Sequence, residues 1–243
     1  MSWPDYTYDI FEDFEDSTLA SGLTEADADG IVSFPDSTQY WLGSNSAKWN
    51  NNGSAHTARF TLAPSAKNNF SAGFAWRTTA TTSNYTFGSL IFEAGWATYS
   101  GSGIIRIYDG RDTGNNTRQF VIRFYGASTV DYKLTVSDNT WYWITVQYNR
   151  NSTSYCNIYT SDKTRVAQLS SDIINYACDF LRFGGSSAVY NSANYLDDIV
   201  IDWTNYAFPL LGWESVAASG GPLVGDSALV GGGFLCGQGV LIG

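Results

Sequence analysis

One histidine, three cysteines and five glutamates bound the chemistry open to this chain of 243 residues. His56 lies in the polar stretch Asn52-Gly53-Ser54-Ala55-His56-Thr57, where a surface histidine is the expectation rather than the base of a Ser-His-Asp constellation. No Gly-x-Ser-x-Gly elbow, Gly-x-x-x-x-Gly-Lys loop or Gly-x-Gly-x-x-Gly turn occurs, so nucleotide chemistry and elbow-type hydrolysis drop out. Cys156, Cys178 and Cys236 form no C-x-x-C pair, which with a single histidine argues against zinc and makes Cys156 a buried free thiol by expectation. Of Glu12, Glu15, Glu25, Glu93 and Glu214, only Glu93 falls in the middle of the strand-like region, with no carboxylate close to it in sequence.

Oxygen-ligand and stacking chemistry fare better. Asp9-Ile10-Phe11-Glu12-Asp13-Phe14-Glu15-Asp16 and Tyr195-Leu196-Asp197-Asp198-Ile199-Val200-Ile201-Asp202-Trp203 are acidic segments near either end of the strand-rich region. If the first and last strands lie side by side, Asp13, Asp197 and Asp198 converge as candidate calcium ligands. The alternative is that these aspartates cap turns or face solvent while Leu196, Ile199 and Ile201 fill the core. Trp41, Trp49, Trp96, Tyr99 and Tyr190, each close to Asn or Ser, are candidate platforms for the flat face of a sugar. With 9 Trp and 16 Tyr in the chain, most aromatics must instead be core.

The elements that position these residues read as strands. Aromatics are 16% of the chain, while Lys and Arg number only 13, a composition rich in strand formers and poor in surface-helix formers. Short alternating runs over 59–62, 71–77, 89–92, 104–108, 120–125, 141–148 and 155–160 are separated by turn chemistry such as Asp109-Gly110-Arg111-Asp112-Thr113-Gly114. This is the pattern of an all-β sandwich or barrel, with Ser17 to Asp29 read as loop. A formal charge of -10 has the wrong sign for phosphate backbones or anionic lipid, so neither nucleic acid nor membrane is expected as a partner.

The opening Phe11-Glu12-Asp13-Phe14-Glu15, the central Trp141-Tyr142-Trp143-Ile144-Thr145-Val146-Gln147-Tyr148 followed by Asn157-Ile158-Tyr159-Thr160-Ser161-Asp162, and the closing Leu196-Asp197-Asp198-Ile199-Val200 resemble the concanavalin A-like lectin/glucanase superfamily. Laminin G-like domains are the nearest branch, and the resemblance spans residues 9 to 203. It implies an antiparallel jelly-roll β-sandwich. It also brings in glycoside hydrolysis, since glucanases of the superfamily carry Glu-x-Asp-x-x-Glu on one strand, an arrangement that no glutamate of this chain enters. The sequence departs from the laminin G-like pattern at Thr160-Ser161-Asp162-Lys163, where the usual hairpin glycine is missing.

After Trp203 the composition changes, dividing the chain into a sandwich over 1–207 and a Gly-rich tail over 208–243. From Gly220 a six-residue repeat sets Leu223, Leu229, Leu235 and Leu241 each two residues before a glycine. An even period puts these leucines on one face of an extended strand, and a ribbon of that length buries too little to fold alone. The tail is therefore read as an assembly element that makes a homo-oligomer, with a trimer favoured, against the alternative of a flexible Gly-rich terminus. The N-terminus carries neither a basic region nor an apolar core of the secretory kind, so assembly in a host cytoplasm is expected. Together these readings suggest a non-catalytic phage virion surface protein, a decoration protein, head fibre or tail fibre, contacting other virion proteins and cell-surface glycan. The rivals are a secreted carbohydrate-binding module or glycoside hydrolase, and an extracellular filament subunit.

Overall fold

A computed structural model of the chain describes residues 8–27, 30–50, 58–78, 88–96, 103–126, 129–171, 176–186 and 193–204. Every regular element in these segments is a strand. In chain order they are β1 (Ile10–Glu12), β2 (Leu23–Asp27), β3 (Val32–Asp36), β4 (Ser46–Trp49), β5 (Ala58–Leu62), β6 (Asn69–Arg77), β7 (Ser89–Gly95) and β8 (Gly103–Arg111). They continue as β9 (Arg118–Tyr125), β10 (Thr129–Thr135), β11 (Trp141–Asn149), β12 (Ser154–Thr160), β13 (Arg165–Ser171), β14 (Phe180–Ser186) and β15 (Asn194–Asp202).

Two antiparallel sheets face each other. One runs β13-β12-β11-β6-β15-β4-β3, with β1 added beside β15; the other runs β10-β9-β8-β7-β14-β5-β2. The period of two explains the layering: in β5, Ala58, Phe60 and Leu62 are buried while Arg59 and Thr61 point the other way. Phe74, Phe92 and Phe183 meet in the middle, with ring centroids 5.3–5.6 Å apart. The all-β sandwich expected from the sequence is what the chain forms, and each of the seven alternating runs lies inside a strand. Ser17 to Asp29 is not all loop, because Leu23–Asp27 pairs with β5 as the edge strand β2. Its alternation is masked by Glu25 and Asp27, which an edge strand tolerates and a central strand does not. The hairpin between β12 and β13 manages without glycine by placing Lys163 itself at a φ of 71°. The tail over 208–243, with Leu223, Leu229, Leu235 and Leu241, lies outside the described residues, as do His56 and Cys236.

Cys156 and Cys178 are free and buried, and burial pushes the Cys178 thiol up to about 12. Between the sheets Asp109 and Arg118 form an enclosed ion pair. Asp109 on β8 has no exposed surface, and its Oδ1 accepts from Arg118 Nε at 2.6 Å. Its Oδ2 takes a second guanidinium donor from Arg118 and the Trp76 indole N–H at 2.9 Å. Register dictates the pairing, since Asp109 and Arg118 sit on neighbouring strands on either side of the 112–117 turn with both side chains directed inward. Removing one partner strands the other without solvent, so Asp109→Ala should cost about 3–5 kcal/mol. Trp76→Phe, which removes the indole N–H and leaves a small cavity where the larger ring stood, should cost about 2–4 kcal/mol. Urea unfolding of both variants measures the difference.

Candidate functional site

β15 changes neighbour halfway along its length. On one side it pairs with β6 throughout; on the other, residues 194–196 pair with β4 and residues 199–201 pair with β1. At the changeover the register against β6 slips between Asp197 and Val200, a bulge that leaves Asp198 at a φ of 50°. The gap between β1 and β4 is filled by residues 13–15 and by the loop 37–45.

Two carboxylates organise that loop. Asp197 Oδ2 accepts the main-chain N–H of Trp41 at 2.7 Å and of Leu42 at 3.4 Å, and Oδ1 accepts the N–H of Asp198 at 2.9 Å. Glu15 Oε1 accepts the N–H of Ser44 at 2.7 Å and of Asn45 at 2.9 Å, while Oε2 takes Asn45 Nδ2 at 3.2 Å. Gly43, between these pairs, has a φ of 73°, and a Cβ there would stand 2.1 Å from Glu15 Oε1, so only glycine lets the carboxylate approach. Glu12 acts in the same way just upstream, accepting from Phe14 N at 2.8 Å and Ala20 N at 2.6 Å while burial raises its pKa.

The expected convergence of the terminal acidic segments is therefore found, and it is larger than the sequence suggested. Asp13, Glu15 and Asp197 all act electrostatically on Asp198. Asp198 is 1% exposed, and its Oδ2 is buried with no hydrogen-bond partner. Burial first, then the Asp197 and Asp13 charges, hold its carboxyl well above the usual range. Asp197 is also raised by burial, but its three main-chain donors pull the other way. Among the described residues no three His, Cys, Asp or Glu side chains are arranged to hold a metal ion as they stand. The one carboxylate oxygen of this cluster left buried without a partner is Asp198 Oδ2, while the Asp197 and Glu15 oxygens are taken up by the loop.

The loop so held carries aromatic residues over the outer face of the larger sheet. Register places Tyr159, Trp143, Ala75 and Asp197 in one cross-strand row. The small Ala75 leaves space in which Trp41, tethered by Asp197, stacks on Trp143 with centroids 6.5 Å apart and 19° between planes. Trp41 also meets Trp141 edge-on at 6.2 Å, and Trp141 leans on Tyr195, over which Lys48 and Arg77 sit. Tyr40, next to Trp41, is 48% exposed.

The five candidate platforms separate accordingly. Trp41 is half-buried and belongs to this cluster. Trp49 is not a platform: it is 1% exposed, its indole donates to the Ala58 carbonyl at 2.9 Å, and its ring fills the space left by Gly184. It alternates inward on β4, and its position between Lys48 and Asn50 disguised a core residue as a loop one. Trp96 lies against Tyr176 after β7 in the other sheet, away from Trp41. Tyr99 and Tyr190 are outside the described residues. Glu15, Trp141 and Trp143 escaped the sequence reading; the aromatic alternation Trp141-x-Trp143 on one face was the available signal.

Glu93, the one central glutamate, is 4% exposed and shared by two guanidinium groups, Arg106 Nε at 2.7 Å and Arg182 Nη1 at 2.8 Å. No carboxylate stands among its hydrogen-bonded partners.

No protein-family model matches the sequence, and no curated protein matches it. Solved structures share the fold. The receptor-binding domain of botulinum neurotoxin type G aligns over 83% of this chain with a TM-score of 0.53 and 16% identity. Cellulose induced protein Cip1 aligns over 81% of this chain and 98% of its own, with a TM-score of 0.53 and 14% identity. A botulinum neurotoxin DC binding domain in complex with SialylT aligns over 80% of this chain, with a TM-score of 0.54 and 12% identity. This chain spans about half the length of the toxin domains, 49% and 47% in these two cases, and nearly all of Cip1. At these identities the likeness is one of fold: the lectin-like jelly-roll sandwich.

The orphaned carboxyl gives a pH signature. Asp198 has a folded pKa above its unfolded value near about 4. The stability tied to its neutral form is complete below that unfolded value and is lost as pH rises through the folded one. In EDTA, the melting temperature of wild type should fall relative to that of Asp198→Asn from pH 4 to pH 8. Asp198→Asn, always neutral and tolerant of a positive φ, should match wild type at pH 4 and melt above it at pH 8.

Proposed function

We propose that this chain is a non-catalytic, glycan-binding β-sandwich of a virion surface protein, with its sugar platform at Tyr40, Trp41 and Trp141. The observation that carries the glycan reading is the tether of Asp197 and Glu15 on residues 41–45, which fixes a partly exposed indole against a sheet face at little remaining entropic cost. Rings with hydroxyl and cationic neighbours, here Thr38, Lys48 and Arg77 around Tyr195, suit the apolar face and the rim of a pyranose. The glycan and receptor-binding associations of the fold neighbours agree with this reading without fixing a sugar.

Calcium belongs to the same proposal. A divalent cation at Asp198, with Asp13 and Asp197, would satisfy the orphaned oxygen and neutralise the crowded carboxylates. It would thereby stiffen the loop that holds Trp41. In the virion reading, the Leu223, Leu229, Leu235 and Leu241 repeat makes the homo-oligomer, a trimer by preference, and binds other virion proteins.

Glycan-array binding of the full chain tests the platform. Tyr40→Ala and Trp141→Ala should each weaken binding by about tenfold, the loss of about one stacking contact, with the melting temperature of Tyr40→Ala unchanged. Unchanged binding in both variants overturns the platform. Adding calcium should raise the melting temperature of wild type and leave Asp198→Asn unmoved. Light scattering of the full chain beside a version ending at Phe208 tests assembly: a discrete oligomer for the first and a folded monomer for the second is the expected result.

A further inference from the structure

The outer face of the smaller sheet carries a second feature that neither the platform nor the acidic cluster uses. One cross-strand row runs Thr61, Arg182, Glu93, Arg106, Arg123 and Asp131, from β5 through β14, β7, β8 and β9 to β10. Arg59 stands two residues from Thr61 on the same face, and Lys133 two residues from Asp131. Five basic side chains thus accompany two carboxylates, a surplus of three positive charges on a chain whose formal charge is -10.

The guanidinium groups are held rather than loose. Glu93 is buried beneath Arg106 and Arg182 and fixes both; Arg123 is paired in bidentate fashion with Asp131 at 2.6 and 2.7 Å. Aromatic rings are interleaved: Tyr125 lies 5.2 Å from the Arg106 guanidinium and 5.8 Å from that of Arg123, and its hydroxyl accepts from Arg106 Nη1 at 3.0 Å. Arg182 sits 4.1 Å over the Phe180 ring, which itself packs against the bare backbone of Gly95. Arg59 has no carboxylate partner among the described residues, and its Nε is buried without an acceptor. Burial, with the Arg182 charge next to it, draws its guanidinium down from its ordinary value against the pull of the Glu93 carboxylate.

We propose that this row binds a linear anionic glycan, carrying a carboxylate or sulfate on successive sugars, with Arg59 and Arg182 holding one acidic group and Arg106 and Arg123 the next. Positive groups recur here at the spacing of strands, so Arg182 to Arg123 spans about 14 Å. Guanidinium forks read carboxylate and sulfate oxygens, while the half-buried Tyr108 and Tyr125 offer ring surface and hydroxyls to the sugar. An acidic peptide fits the charge but not the architecture. Extended peptides gain affinity by adding to a free sheet edge, whereas β14, β7, β8 and β9 are interior strands with their ladders filled. The site is separate from the Trp41 platform, which lies on the other sheet.

The test is affinity electrophoresis and calorimetry of the full chain with polygalacturonate, chondroitin sulfate, neutral dextran and poly-glutamate. Binding to at least one of the two anionic polysaccharides, falling steeply with salt and absent for dextran, is expected. Arg59→Gln, which removes a partly desolvated charge with no hydrogen-bonded carboxylate and should not lower the melting temperature, should weaken that binding by about tenfold or more. Arg182→Gln should do likewise, whereas Tyr40→Ala and Trp141→Ala should leave it intact, which separates this site from the platform. No binding to either anionic polysaccharide at low salt overturns the proposal. So does poly-glutamate binding as tightly as the polysaccharides, and so does Arg59→Gln and Arg182→Gln both binding like wild type.

Discussion

The architecture around the outer aromatic cluster depends on one constraint: a strand with two different neighbours on the same side must leave a hole between them, and the main chain lining that hole needs acceptors. β15 is that strand, and Asp197 and Glu15 supply acceptors to four of the five N–H groups from Trp41 to Asn45. The bulge at Asp198, the glycine at 43 and the positive φ of Phe14 follow from fitting carboxylates and backbone into the same gap. The cost falls on Asp198, whose carboxyl is crowded by like charges and has no donor of its own.

Much of this was legible in the sequence. The seven alternating runs follow from period, and the adjacency of β1 and β15 from the jelly-roll topology expected of them. What was not legible depended on which face a residue takes at an irregular point. Trp49 looked like a loop residue because polar neighbours flank it, yet strand alternation turns it inward against Gly184. Glu15 is one acid among several in its segment, and only the folded loop shows it to be the one that reaches Ser44 and Asn45. The arginine row was invisible for a stronger reason: its members come from separate strands scattered between residues 59 and 182, and only the pairing registers line them up.

The two outer faces differ in kind. The larger sheet presents stacked indoles steadied by buried carboxylates, and the smaller presents guanidinium groups steadied by a buried glutamate. In each case a group enclosed by the protein fixes the exposed one, which lowers the conformational freedom a ligand would otherwise have to remove.

Enclosure of another sort governs the interior. Trp76, Asp109 and Arg118 come from three different strands and touch water hardly at all. Replacing Asp109 or Arg118 alone strands a charge, while a joint replacement by apolar residues of similar volume need not. Descent should therefore treat these positions as a single character: homologous chains either keep the aspartate and arginine together or lose both, and an intermediate carrying one without the other is the form that selection removes.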